Sequence, residues 1–264
     1  MSRVEPFYFG APNASLFGCY HGPEAAGRDC AVVLCYPMGA EYIQFHRACR
    51  QLAALLAAAG FPVLRFDFYG CGDSSGDGEE WRIRCWLNNI SSAVEEIRSR
   101  STAAKICLVG LRLGGTLSMM AGVEREDIDG LVLWDPVVSG RAYVEELRTL
   151  HREMLRRAHV TSVSNAKRSE IWGFALPDEM LAELDDADLL AIHRKPANNV
   201  LVVESRESPG RIELAKHLQS LNAHVKHRHL PNPQFWTWIE DFSHILVPAP
   251  LLHSVVGWIS EVYL

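Results

Sequence analysis

A chain of 264 residues with 48% hydrophobic content is long enough to bury one full α/β core and carry an insertion. Its formal net charge of −6, with no clustered basic surface, argues against nucleic acid as the default partner. The seven cysteines are odd in number and form no C-x-x-C pair, which points to a reducing cytoplasm rather than a disulfide framework.

The first residues, Met1-Ser2-Arg3-Val4-Glu5-Pro6, lack the basic-then-apolar pattern of a secretory signal. The longest nearly apolar stretch, 52–64, is broken by Gly60 and Pro62, so no membrane span is expected. An antiparallel hairpin is predicted over 7–20, turning at Pro12-Asn13-Ala14. A buried strand over 31–35 follows and ends at Tyr36-Pro37-Met38-Gly39. Phe45, Cys49, Leu52, Leu55, Leu56 and Ala59 share one helical face until Gly60 stops the helix. A strand over 63–66, a helix over 81–98, a strand over 105–109, a helix over 113–122 and a strand over 131–134 then alternate. Such alternation implies a mostly parallel sheet covered by helices on both faces.

The rhythm breaks over 141–196, where a basic stretch (141–157) and an acidic stretch (178–188) both keep helical spacing. This reads as a helical cap inserted into a core formed by 1–140 and 197–264. The cap either shapes a pocket or shields a sheet edge. A strand over 200–203, a helix over 211–221, a strand over 225–230 and a helix over 251–262 complete an expected eight-stranded sheet.

The segment Gly110-Leu111-Arg112-Leu113-Gly114-Gly115 joins a buried strand to a small-residue helix, the setting in which G-x-S-x-G presents a nucleophilic serine. Both flanking glycines are kept, but arginine stands where the serine would be. A guanidinium stays protonated and offers no lone pair for attack on a carbonyl carbon; it grips carboxylates or phosphates instead.

After the strand at 63–66, Asp67-Phe68-Tyr69-Gly70-Cys71-Gly72-Asp73-Ser74-Ser75-Gly76 resembles the D-x-x-G-x-G-x-S-x-G loop of α/β-hydrolases. With the elbow and the Pro37-Met38-Gly39 turn, the chain resembles the serine aminopeptidase-like branch of that superfamily, over the whole sheet but not the cap. Gly70 to Ser74, Gly110 to Gly114 and Pro233-Gln234-Phe235-Trp236 look most like the exosortase-associated hydrolases, a group named for gene neighbourhood and fold rather than activity. Dinucleotide binding is disfavoured, because neither glycine cluster supplies G-x-G-x-x-G with an acid at the end of the next strand.

The resemblance implies an acid after the seventh strand, but Ser208 stands there, with Glu207 beside it and Glu204 at the strand end. Asp135, after the sixth strand, fits the known variant position and could either hold Arg112 in a bidentate pair or cap the following turn. The histidine expected after the eighth strand is replaced by Gln234; His244, ten residues on, either folds back into the site or is a structural residue. His227 and His229 share a strand face without a third ligand, so no metal is expected, and no cofactor. The oxyanion hole would use the N–H groups of Met38 and Leu113. Cys71 is the one thiol in place to act as a surrogate nucleophile, although a packed, inert cysteine is the plainer reading.

Three functional expectations follow. In the first, a hydrolase-fold protein with a degenerate triad binds an anionic or acyl small molecule through Arg112, with catalytic roles for Arg112, Asp135 and His244, and Met38, Leu113, Cys71 and Gln234 around the ligand. A non-hydrolytic step such as cyclisation or elimination is open to it. In the second, an ester, thioester or amide hydrolase or acyltransferase works through Cys71 and His244. The third is a noncatalytic interaction module, which an open cleft beside Arg112 would disfavour. A small-molecule partner is expected, with a homodimer left open.

Overall fold

The computed structural model describes residues 4–24, 27–157, 159, 169–171, 174–231 and 247–264. Two strands, β1 (Val4–Ala11) and β2 (Ala14–His21), pair antiparallel across a two-residue Pro12-Asn13 turn. They join β3 (Cys30–Cys35), β4 (Val63–Phe66), β5 (Lys105–Leu111), β6 (Gly130–Trp134), β9 (Asn199–Glu204) and β10 (His224–His229) in an eight-stranded sheet. The order is β1-β2-β4-β3-β5-β6-β9-β10, and every pairing from β4 to β10 is parallel.

The central strands are buried on both sides, and their side chains alternate between two cores, as the period of two demands. Ala31, Val33 and Cys35 of β3 enter the core beneath α2 (Ile83–Arg100), α3 (Leu113–Arg125) and α6 (Pro209–Ser220). Cys30, Val32 and Leu34 enter the opposite core, with residues of α1 (Gly39–Ala58) and α7 (Ala249–Val262). The parallel sheet covered on both faces is the one the alternation of elements predicted, and the architecture is the α/β-hydrolase fold that the resemblance implied. No helix among the described residues is long and apolar enough to cross a membrane.

Between β6 and β9 run α4 (Gly140–Arg157), a hairpin of β7 (Ser169–Ile171) and β8 (Phe174–Leu176), and α5 (Asp178–Asp185). The two helices match the two periodic stretches. The hairpin was not foreseen, because three-residue strands carry too few alternations to register as a period. Helix α1 also begins at Gly39, well ahead of Phe45, where apolar periodicity starts. Its first turn is held by tertiary contacts of Glu41, described below.

The loop after β4 is a structural knot. The Asp67 carboxylate accepts from Tyr42 Oη at 2.8 Å and from the Asp73 N–H at 3.1 Å. Ser74 Oγ donates to the Asp67 carbonyl at 2.6 Å and accepts from the Phe17 N–H at 2.9 Å, clamping β4 to the hairpin. Glycine is required at position 72, where φ is +54° and a Cβ would lie 2.2 Å from Asp67 Oδ2. These contacts give the loop a structural role, as tight turns fastened to the strands beside it.

A buried histidine on β2 gives the fold an acid-sensitive point. His21 is 1% exposed, and its Nε2 accepts from Arg65 Nε at 3.1 Å. Its Nδ1 has no partner among the described residues. Burial, then Arg65 and Arg50, lower its pKa from 6.5 to about 4. The unfolded chain therefore binds the extra proton first, so the stability present above pH 6.5 is lost as pH falls towards 4. The shift corresponds to about 3 kcal/mol. Urea denaturation at pH 7 and pH 4.5 should show this loss in the wild type, and His21→Leu should remove most of it. Equal losses in both proteins would place the acid sensitivity elsewhere.

Candidate functional site

The turn between β5 and α3 has the backbone of a nucleophile elbow. Arg112 adopts φ 53° and ψ −123°, a conformation that non-glycine residues rarely hold. Packing enforces it. A Cβ on Gly110 would lie 2.3 Å from the Gly114 carbonyl oxygen, and one on Gly114 would lie 2.3 Å from that of Cys35. Strand, turn and helix thus approach more closely than any side chain allows. The Arg112 N–H donates to the Trp134 carbonyl at 3.0 Å, and its own carbonyl accepts from Gly115 at 3.0 Å and Thr116 at 3.3 Å.

The guanidinium on this bend is 3% exposed and already engaged. Its Nε donates to Glu41 Oε1 at 2.9 Å and its Nη2 to Glu146 Oε2 at 2.7 Å. Its Cζ lies 5.2 Å from the Tyr143 ring centroid, and Tyr143 Oη donates to Glu41 Oε2 at 2.8 Å. Burial opposes the charge on Arg112, but Glu41 and Glu146 overcome it and hold the pKa above its ordinary value. Burial raises the pKa of Glu41, against the pull of Arg112 and the hydrogen bond from Tyr143. The cluster is therefore a salt-bridged tie and not an open cation.

Asp135 does not pair with Arg112 as the bidentate expectation had it. It follows β6 at φ 42°, is fully buried, and pairs with Arg211 Nη1 at 2.6 Å. It also accepts from the hydroxyl and N–H of Ser205 at 2.6 and 3.1 Å. Arg211, on the first turn of α6, reaches it because β6 and β9 are adjacent and parallel. Nothing in the local sequence signals that partnership.

Ser208 is the N-cap residue of α6, and its N–H donates to Glu204 Oε2 at 3.1 Å. The other oxygen of buried Glu204 meets His227 Nε2 at 2.7 Å, while His229 Nδ1 pairs with Glu207 at 3.3 Å. Gln234 and His244 lie outside the described residues. Cys71 sits in the Asp67 loop, where burial, with a further push from Asp67, raises the thiol pKa to about 12. A thiol so protonated is a poor nucleophile.

The two expected oxyanion donors stand at helix starts. Leu113 begins α3, Met38 precedes α1, and Gly114 packs against the carbonyls of Cys35 and Tyr36 that lead into Met38. Two cavities flank the Arg112 cluster. A void of about 20 Å3 is lined by Met38, Glu41, Trp81, Tyr143 and Phe174. A cleft of about 370 Å3 is lined by Arg112, Tyr143, Glu146, Ser208 and Arg211. Tyr143 borders both, and Met38 lines the void but not the cleft.

The sequence did not single out Glu41, Tyr143, Glu146 or Arg211. Tyr143 and Glu146 are three apart on α4 and thus share a face, a pattern legible only once the facing residue is known.

The family model described as serine aminopeptidase, S33, matches residues 30–203. The chain belongs to this α/β-hydrolase family. None of the curated proteins matches. Among solved structures, Est1E from Butyrivibrio proteoclasticus with ferulic acid bound is similar at a TM-score of 0.71 and 18% identity, covering 97% of this chain and 98% of that one. A proline iminopeptidase from Mycobacterium smegmatis gives 0.67 and 12%, over 97% and 98% of the two chains. An esterase from Pyrococcus furiosus gives 0.66 and 15%, over 99% and 91%. At such identities the likeness is one of fold.

Proposed function

We propose that this member of the serine aminopeptidase family has given up serine-based hydrolysis and binds a small molecule bearing a carboxylate or acyl group in the cleft beside Arg112. The observation that carries this reading is Arg112 itself, buried on the elbow at φ 53° and tied to Glu41 and Glu146. Catalysis by the family requires a nucleophile at that bend, and a protonated guanidinium supplies none. A step that needs no attacking side chain, such as cyclisation or elimination, remains open to the cleft. The cleft's volume of about 370 Å3 lies in the usual range for small-molecule sites and disfavours a purely structural module. The raised Cys71 pKa likewise disfavours a cysteine hydrolase.

A fluorophosphonate probe should therefore leave the protein unlabelled. Any slow turnover of p-nitrophenyl acetate should be the same in wild type and Cys71→Ala. Stoichiometric labelling, or activity lost on removing that thiol, would overturn the reading.

A further inference from the structure

The cleft has two buried arginines on its wall, Arg112 at 3% and Arg211 at 8% exposure. Asp135 and two carbonyls use Nη1 and Nε of Arg211, and its Nη2 has no acceptor among the described residues. Beside it the N-terminus of α6 contributes Ser208, whose hydroxyl caps no backbone group, and Gly210. This wall is therefore rich in donors. Among the described residues, the carboxylate on these two arginines that also lines the cleft is the chain's own Glu146, on Arg112 Nη2 at 2.7 Å.

Glu146 differs from the other acids of the cluster. Its side chain is 40% exposed, against 1% for Glu41 and 0% for Asp135. Its helix is fastened independently, because Tyr143 on the same face is buried and bonded to Glu41 at 2.8 Å. Glu146 can thus turn into water without unseating α4.

Resting on the ligand-binding reading above, we propose that the wall formed by Arg112, Arg211 and the α6 N-terminus is a carboxylate subsite that Glu146 occupies until a ligand carboxylate displaces it. The exchange replaces one monoanion with another, so the buried charge balance is kept while Glu146 regains hydration. A carboxylate suits the exchange better than a phosphate dianion, whose second charge would share the cleft with Asp188. Pro136, Val138 and Leu190 supply an apolar side for the body of the ligand, which favours an aromatic or aliphatic acid.

Isothermal titration of benzoate and its neutral isostere benzamide into wild type, Glu146→Gln and Glu146→Ala tests this. Both variants should bind benzoate at least tenfold more tightly than wild type, with benzamide unchanged. Benzoate affinity equal in all three proteins, or benzamide rising as much as benzoate, overturns the displacement while leaving the cleft as a binding site. No binding of either probe to any protein overturns the subsite and counts against the cleft as a ligand site, whereas fluorophosphonate labelling would refute the loss of serine chemistry alone.

Discussion

Arg112→Ala should lower the unfolding free energy by about 3–5 kcal/mol, the usual cost of removing one partner from a buried ion pair. The variant strands Glu41, 1% exposed, with Tyr143 as its remaining hydrogen-bond partner among the described residues. The loss should also depend on pH in a definite direction. Burial already raises the folded pKa of Glu41, so its protonated form is favoured in the fold and stability falls as pH rises through that pKa. Without Arg112 the lift is larger, and the deficit of the variant should be smaller at pH 5 than at pH 8. Adding Glu41→Gln to Arg112→Ala should recover part of the loss at pH 8. Urea denaturation of the three proteins at both pH values measures this; a single variant within about 1 kcal/mol of wild type would show that the pair contributes little. Arg112→Ser should gain no esterase activity, because Asp135 is committed to Arg211 and the Glu41–Tyr143 contact remains.

Gly114→Ala should be at least as damaging, costing more than about 3 kcal/mol or preventing soluble expression. The added methyl would sit 2.3 Å from the Cys35 carbonyl oxygen and 2.4 Å from that of Tyr36. Both are backbone atoms at the end of a fully buried strand, so no side chain can turn aside to make room. Gly257→Ala is the control. Position 257 lies within α7 with nothing inside 4 Å of its prospective Cβ, and alanine there should raise stability by about 0.5–1 kcal/mol. Denaturation midpoints moving in opposite directions in the two variants would confirm that the elbow glycine is required by contact. A tolerated Gly114→Ala would show that the elbow can relax.

Much of the sheet was legible in the chain because its strands are short apolar runs separated by helical periods, as at 31–35 followed by Phe45, Cys49 and Leu52. The elbow was legible for the same reason, with Gly110 and Gly114 at fixed spacing about a central residue. What Arg112 touches was not. Glu41 comes from the first turn of α1 and Glu146 from α4, 71 and 34 residues away in sequence. Such long-range polar pairings follow no period. The exchange of Asp135's expected partner for Arg211 has the same origin, since one buried carboxylate beside two arginines can be assigned only by geometry.

Three elements meet at one guanidinium: the β5–α3 bend that carries it, α1 through Glu41, and α4 through Tyr143 and Glu146. The side chain works as a rivet through the layers, fastening the first half of α4 to the strand ends. Beyond Leu147 that helix presents only half-buried or exposed residues, so its far turns do not share the fastening. On the reading proposed above, the bend that would carry a reacting group in a working hydrolase carries a fastening between layers instead.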